Sequence, residues 1–445
     1  MAKKAKIENI KAREILDSRG NPTIEVELET NLGIFSASVP SGASKGKYEA
    51  KELRDGGRRY QGLGVLKAVR NVNKIIAPKL KGKDFTKQKE IDNFLIKLDG
   101  KKNKSRLGAN SILAVSLAVC RAGAMAKKLP LYYYISQLFQ SQNPHNNFST
   151  VVKNVLLPMP SFNVINGGAH AGNDLDFQEF MIVPQEKSLA KNLEMAAEIY
   201  HQLKKIIKDK YLDLGVNVGD EGGFASPLRV PEEALDLILE ASEKLNYQKK
   251  IKFILDIAAS QFYKNNQYQT KFGIFSKEKL SDYYLLLISK YPILGLEDPF
   301  AEDDLFGWNL LESKVKEQKS KILIVGDDLL ATNPQRIKMA KEKNLCDASI
   351  IKLNQIGTVT EAIEAVKLAK SFGWKIIVSH RSGETNDDFV ADFAVGVAAD
   401  FVKFGAPARG ERVAKYNRLV KIEEELRLAN KLSNSKVEPW KTIQK

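Results

Sequence analysis

The sequence is poor in cysteine and histidine. Two cysteines in 445 residues, Cys120 and Cys346, build no disulfide framework and suit a reducing compartment. Only four histidines occur, and two of them, His170 and His380, fall in glycine-rich motifs. Long apolar runs are also missing. The longest, "SILAVSLAVCRAGAMA", reads as too short to span a bilayer and ends in Lys127 and Lys128. No charged, then apolar, then small-residue pattern opens the chain, so export by a signal peptide is not expected. There is no low-complexity tract and no internal repeat. These absences describe a cytoplasmic protein without a membrane span.

Positive charge is abundant, with a formal net charge of +15. Basic chains often bind nucleic acid, anionic membranes or acidic substrates. Here the lysines are scattered, as in "MAKKAKIENIKAR", "KLKGKDFTKQKE" and "KKNKSR", without regular aromatic interleaving. That dispersal reads as a solvated surface, one that would still draw an anionic substrate. The length exceeds one ordinary domain, and two are expected: an α+β unit over 1–146 and a barrel-sized unit over 147–445.

The stretch from 322 to 381 carries the clearest pattern. "ILIVGDD" is a buried strand ending in Asp327 and Asp328. Asn333 and Pro334 then start a helix, a capping side chain followed by a proline where no N–H is needed. "ASIIKLN" is a second buried strand, with Lys352 at its far end. Thr358 and Glu361 form a capping box for a helix whose Val359, Ile363 and Val366 share one face. A third strand, "WKIIVSHR", ends in His380 and Arg381. One charge after an apolar run can simply mark a strand leaving the core. Charged groups at the carboxyl ends of successive βα units share one rim, where barrel enzymes keep their chemistry.

Before this stretch, "TIEVELET" and "GIFSASVP" alternate as strands of an antiparallel meander. Helical patterns follow in "VLKAVRNVNKIIAPKL", "QKEIDNFLIKLDG" and "NSILAVSLAVCRAGAMAKK"; the last is apolar nearly all round and is expected between the two domains. "VPSGASKGKYEA" reads as a mobile loop, "SQLFQSQNPHNNFSTVVKN" as the linker and "VEPWKTIQK" as an exposed end. Beyond the linker, "FQEFMIVP", "FILDIAAS", "PILGLEDP" and "DFVKFG" are buried runs alternating with amphipathic helices.

Three of these strands end in carboxylates: Asp256, Glu297 and Asp327. Three acids gathered without a cation would repel one another and resist ionising. An oxygen-only ligand set suits a hard divalent ion, Mg²⁺ before Zn²⁺. Lys352 and Lys403 also follow apolar runs, and a lysine near Mg²⁺ and a second lysine is expected to have a depressed pKa and act as a base. "NVGDEGGF" sets Asp220 and Glu221 in a glycine-flanked turn. Arg381 and Ser382 form a natural phosphate grip. A metal, a lysine base, a carboxylic acid and a phosphate clamp fit proton abstraction beside a carboxylate, with the enolate held by metal ions.

The chain closely resembles the enolase family of glycolysis over nearly its whole length. The motifs that carry the resemblance include "AREILDSRGNPTIEVE", "VPSGASKG", "NVINGGAHAGN", "VGDEGGF", "LEDPFAEDD", "IIKLNQIGT", "SHRSGET" and "KFGAPARGERVAKYN". A Lys or His base working with Mg²⁺ is general to that superfamily. The resemblance implies an α+β cap followed by an eight-stranded β/α barrel of TIM type whose second strand runs antiparallel. It implies conversion of 2-phosphoglycerate, a phosphorylated hydroxy acid, to phosphoenolpyruvate with two Mg²⁺ ions per site. By the same resemblance, Lys352 is the general base and Glu221 the acid. Asp256, Glu297 and Asp327 hold the first metal, and Ser44 reaches the second. His170, Gln178 and Glu179 line the site, Arg381 and Ser382 hold the phosphate, and Lys403 holds the carboxylate.

Five positions depart from the family pattern: Lys45 and Phe404 for threonine, Gly410 for serine, Gln261 for glutamate and Ser226 for proline. None removes a catalytic group. The family also forms dimers or assemblies of dimers. A reading from another class is a binding protein whose basic exterior and terminal Lys445 capture lysine-binding host proteins or nucleic acid, at the cell surface or secreted without a signal peptide. A third keeps the fold and changes the substrate within the superfamily.

Overall fold

A computed structural model describes residues 5–43, 46–140 and 156–432. The expected boundary at 146, Ser44, Lys45, most of the expected linker and the C-terminal "VEPWKTIQK" lie outside them.

The chain opens with an antiparallel meander of β1 (Ile7–Leu16), β2 (Pro22–Thr30) and β3 (Gly33–Ser38). Alternation does here what it should: Ile24, Val26 and Leu28 are fully buried, while the residues between them are not. Helix Ala109–Ala126 packs on that face and also meets helices of the second unit. Its eighteen residues are long and apolar enough to cross a bilayer, so the expectation that the run is too short does not hold. Burial inside the fold accounts for its apolar character instead. The pattern "VLKAVRNVNKIIAPKL" is helical but contains a π-helical turn at Val72–Ile76. Within that turn Asn73 docks on β1, accepting from Ala12 N at 2.7 Å and donating to Ala12 O at 3.0 Å. The first residues of the expected linker are helical instead. Residues Ser136–Gln140 complete helix Leu131–Gln140, because Tyr132, Tyr133 and Ile135 bury one face of it.

The second unit is a closed eight-stranded barrel. Its strands are β4 (Met159–Asn166), β5 (Glu179–Pro184) and β6 (Ile251–Asp256), followed by a small separate sheet of β7 (Tyr263–Lys264), β8 (Gln267–Thr270) and β9 (Gly273–Phe275). The barrel then continues through β10 (Ile293–Glu297), β11 (Leu323–Gly326), β12 (Ala348–Ile351), β13 (Lys375–Ser379) and β14 (Phe401–Lys403), which closes on β4. All neighbours are parallel except β5, which is antiparallel to both β4 and β6. The reason is local: no helix long enough for a crossover separates β4 from β5, and a parallel return requires one. Met159, Met181, Ile254, Val325, Ile350 and Phe401 fill the floor of the barrel. The charged strand ends are left for the other rim.

Buried polar contacts dock the two units. Asp92, on helix Gln88–Asp99, accepts from Thr360 N at 3.0 Å and from Thr360 Oγ1 at 2.6 Å, so the cap supplies an N-terminal cap to helix Val359–Ser371 of the barrel. Ser116 Oγ accepts from Val359 N at 3.0 Å. The capping box expected at Thr358 and Glu361 is half formed. Thr358 Oγ1 accepts from Glu361 N at 3.1 Å, but the Glu361 carboxylate takes the Thr358 hydroxyl at 2.7 Å and the buried Lys104 ammonium at 2.8 Å. An ion pair between the units has replaced the reciprocal backbone bond. Substituting Asp92→Ala would strand several buried donors at once and is expected to cost about 3 kcal/mol. A thermal unfolding scan checks this; an unchanged midpoint would mean the contact adds nothing to docking.

Candidate active site

The barrel places its charged residues by the ends of its strands. β6, β10 and β14 terminate in Asp256, Glu297 and Lys403. Asp327, Lys352 and the run His380–Arg381–Ser382 directly follow β11, β12 and β13. Because β5 runs the other way, its first residue, Glu179, comes to the same rim. Glu179 pairs in register with Asp256, and Asp256 with Glu297. Every barrel residue singled out from sequence, Gln178, Glu221 and His170 included, lies in this cleft or directly against it.

Two lysines neutralise the carboxylates. Lys403 Nζ lies 2.9 Å from Asp256 Oδ2, 2.8 Å from Glu297 Oε1 and 3.2 Å from Glu179 Oε2. Lys352 Nζ is bonded to Asp327 Oδ2, whose other oxygen accepts from Gln355 Nε2 at 3.1 Å. Asp298 accepts from the backbone N–H groups of Asp327 and Asp328 and so fixes that strand end. All of these groups are buried or nearly so. Burial pushes the carboxyls of Glu297 and Asp298 well above the ordinary range, and Asp328 up to about 7, where the Asp327 charge adds to it. The depression expected of Lys352 was for a lysine beside Mg²⁺; with the side chains alone the direction is the opposite. Burial lowers it, but the Asp327 carboxylate more than compensates and leaves the ammonium above its usual value. Lys403 is held up more strongly, because Asp256, Glu179 and Glu297 together outweigh its burial.

Such a set fits a hard cation. The donors are oxygens, they outnumber the lysines, and Lys403 already sits among three of them as a monovalent substitute. Two tighter groupings, each with ligand atoms within 4.8 Å of one another, are His170–Glu179–Glu221 and Asp298–Asp327–Asp328.

Across the cleft, Glu221 faces two imidazoles. His380 Nε2 is 3.1 Å from Glu221 Oε2, and His170 Nδ1 is 3.7 Å from Oε1. Burial opposes its charge, but His380, His170 and the Arg412 guanidinium hold Glu221 well below the ordinary carboxylate range. Glu179 moves the other way, pushed up by burial and by the Glu221 charge. Burial in turn pulls the His380 pKa down to about 3, against the Glu221 carboxylate, which raises it. Arg412, fully buried, donates to the carbonyls of Arg381, Asp220 and Ser382 at 2.6, 2.9 and 2.6 Å and so ties two rim turns together.

The cap completes the cleft. Arg381 makes a two-pronged contact with Glu49, at 3.1 Å to each oxygen, and donates to Asn354 Oδ1 at 3.0 Å. Ser382 Oγ accepts from Ala43 N at 2.7 Å, and Ser41 forms a bridge with Gly383. A Cβ at Gly383 would stand 2.4 Å from Asp17 Oδ2 and 2.7 Å from Ser41 O, so only glycine lets the cap strand approach this closely.

Of the five departures, Lys45 lies outside the described residues. Phe404 is buried against Tyr416, with ring centroids 5.8 Å apart. Gly410 opens helix Gly410–Leu432, where a Cβ would meet Asn386 Oδ1 at 3.9 Å, an ordinary contact. Ser226 is buried and donates to Gly215 O at 2.8 Å. Gln261 bonds to Gln178. Sequence reasoning missed Glu49, Asn354, Gln355, Asp298 and Arg412. All five sit inside motifs singled out for their neighbours: Glu49 in "VPSGASKGKYEA", Asn354 and Gln355 in "IIKLNQIGT", Asp298 in "LEDPFAEDD" and Arg412 in "ARGERVAKYN".

Comparison with known proteins agrees with the geometry. Residues 7–135 match the enolase N-terminal domain, and residues 154–438 match the enolase C-terminal TIM barrel domain. The chain is 52% identical to Enolase B of Dictyostelium discoideum over 434 residues, which is 94% of this chain and 95% of that one. It is 51% identical to an enolase of Mastigamoeba balamuthi, over 94% of this chain and 96% of that one. With an enolase of Solanum lycopersicum the identity is 50% over 439 residues, 95% of this chain and 96% of the relative. Matched across both domains and aligned with these relatives over nearly its full length, the chain belongs to the enolase family.

Proposed function

We propose that Lys352 and Glu221 divide the two proton-handling steps of the enolase reaction, the reversible dehydration of 2-phosphoglycerate to phosphoenolpyruvate. What supports this division is that one cleft contains Lys352 beside Asp327, Glu221 beside Glu179 and two imidazoles, and Arg381 beside Ser382. The reaction is that of a glycolytic lyase.

Arg381 and Ser382 grip the substrate phosphate, and Lys403 faces its carboxylate. His170, Gln178 and Glu179 line the side where the hydroxyl lies. Lys352, as the free amine, takes the proton from carbon 2, and the C–H electron pair is left on the substrate as an enolate. Asp327, already bonded to that nitrogen, stabilises the ammonium so formed. The enolate pair then forms the new carbon–carbon double bond, and the C–O bond at carbon 3 breaks. The departing hydroxyl takes a proton from the Glu221–Glu179 pair and leaves as water. Two Mg²⁺ ions, one held by Asp256, Glu297 and Asp327 and the other reached by Ser44, would supply the positive charge that the enolised carboxylate needs. The same reading gives a cytoplasmic homo-oligomer.

The division of labour is tested by solvent exchange. Lys352→Ala should abolish both exchange of the carbon-2 proton and product formation, since no base remains. Glu221→Gln should block product by several orders of magnitude yet leave measurable exchange. Equal loss of exchange in both variants would refute the assignment.

The basic exterior generates a second expectation. Dispersed lysines that only steer an anionic substrate should give a kcat/KM that falls modestly with added salt while kcat stays nearly constant. Steady-state kinetics over a salt series checks this, and a kcat that falls in step with kcat/KM would show that the charges do more than steer.

A further inference from the structure

We propose that Gln261 is a positioning residue that fixes which way the Gln178 amide points, and through it the orientation of the Asp256 carboxylate. The proposal rests on reading Asp256 as part of the metal site.

Four groups form one line of hydrogen bonds. Ala169 N donates to Gln261 Oε1 at 3.1 Å. Gln261 Nε2 donates to Gln178 Oε1 at 2.5 Å. Gln178 Nε2 donates to Asp256 Oδ2 at 3.2 Å. A carboxamide can be turned about its last bond, exchanging oxygen for nitrogen, so its direction has to be established by its partners. Here both ends of the line are unambiguous. A backbone N–H can only donate, which puts the Gln261 oxygen toward Ala169 and its NH₂ toward Gln178. Asp256 Oδ2 already accepts from the Lys403 amine nitrogen at 2.9 Å, so it accepts here too, which puts the Gln178 NH₂ toward Asp256. The two constraints meet in the middle and agree. Each amide is held by the other, and reversing either would set two donors or two acceptors face to face.

Position and backbone make the line possible. Gln178 is buried, whereas Gln261 is exposed on the short 3₁₀ turn Ala259–Phe262, just after β6. Gln178 N also donates to Asp256 O at 2.9 Å, so side chain and main chain grip the same residue. Gly168, at φ +51°, brings the His170 loop down onto this line; a Cβ there would stand 3.2 Å from Gln261 Oε1 and 3.3 Å from Gln178 Cα. Gln261 thus joins the loop carrying His170 to a carboxylate that also accepts from Lys403 Nζ at 2.9 Å. A carboxylate at 261 would still accept from Ala169 but would have no proton to give Gln178. The amide at this position supplies a donor that the glutamate of the family pattern lacks.

The test is a double-variant cycle read by calorimetric titration with Mg²⁺ alone, without substrate. Gln178→Met and Gln261→Met keep size and remove the polar ends. Each is expected to weaken Mg²⁺ binding by about fivefold, the worth of one net hydrogen bond. The double variant is expected to be no weaker than Gln178→Met, because Gln261 acts only through Gln178. Additive loss, about 25-fold in the double variant, would overturn the proposal. So would wild-type binding in either single variant. Gln261 is exposed, so its replacement leaves folding intact, and melting curves confirm that Gln178→Met is folded. An Asp256→Asn variant separates this test from the reading beneath it. If Asp256→Asn binds Mg²⁺ like the wild type, the metal-site reading itself has failed; if it binds weakly while the cycle is additive, only the relay has failed.

Discussion

The structure depends on a surplus of buried negative charge at one end of a barrel. Asp256, Glu297, Asp327, Glu179 and Asp298 are all nearly inaccessible to solvent, and two ammonium groups lie among them. An isolated carboxylate in such a place would take up a proton rather than remain charged. Lys403 and Lys352 limit that outcome, and a divalent cation would limit it further. The same carboxylates hold both lysine ammonium groups above their usual pKa values.

The cap belongs to this arrangement and does more than cover it. Glu49 reaches from the cap to Arg381 and accepts from Gln355 Nε2 at 3.3 Å, while Gln355 also donates to Asp327. Thr332 Oγ1 donates to Gln355 Oε1 at 2.7 Å and accepts from Lys352 N at 2.9 Å. One polar network therefore joins Arg381 of the candidate phosphate grip, a candidate metal ligand and the candidate base. The Asp92 and Ser116 contacts at helix Val359–Ser371 keep the two units in register so that the network can form. Fold and site are coupled through these few bonds.

The rim was legible in the sequence because burial and charge alternate there so sharply. Runs such as "ILIVGDD" and "ASIIKLN" give both the strand and the residue that leaves it. The antiparallel second strand followed from family resemblance alone; nothing in "FQEFMIVP" states its direction. Contacts made only in three dimensions were not legible. Glu49 and Asn354 are unremarkable in sequence, and Arg412 reads as one more charge on a basic helix. The nearness of Asp327 to Lys352, which holds the ammonium above its usual value here, is likewise something that spacing does not report. Glu361 left its capping box for Lys104, a partner 257 residues away.

The most direct measurement is formation of phosphoenolpyruvate, followed by its absorbance, from 2-phosphoglycerate and the purified full-length chain. With Mg²⁺ present the product should accumulate; with the metal chelated it should not, and restoring Mg²⁺ should restore the rate. A folded chain that forms no product with Mg²⁺, or one that forms it equally well without, would contradict a cation-dependent enolase site built on these carboxylates.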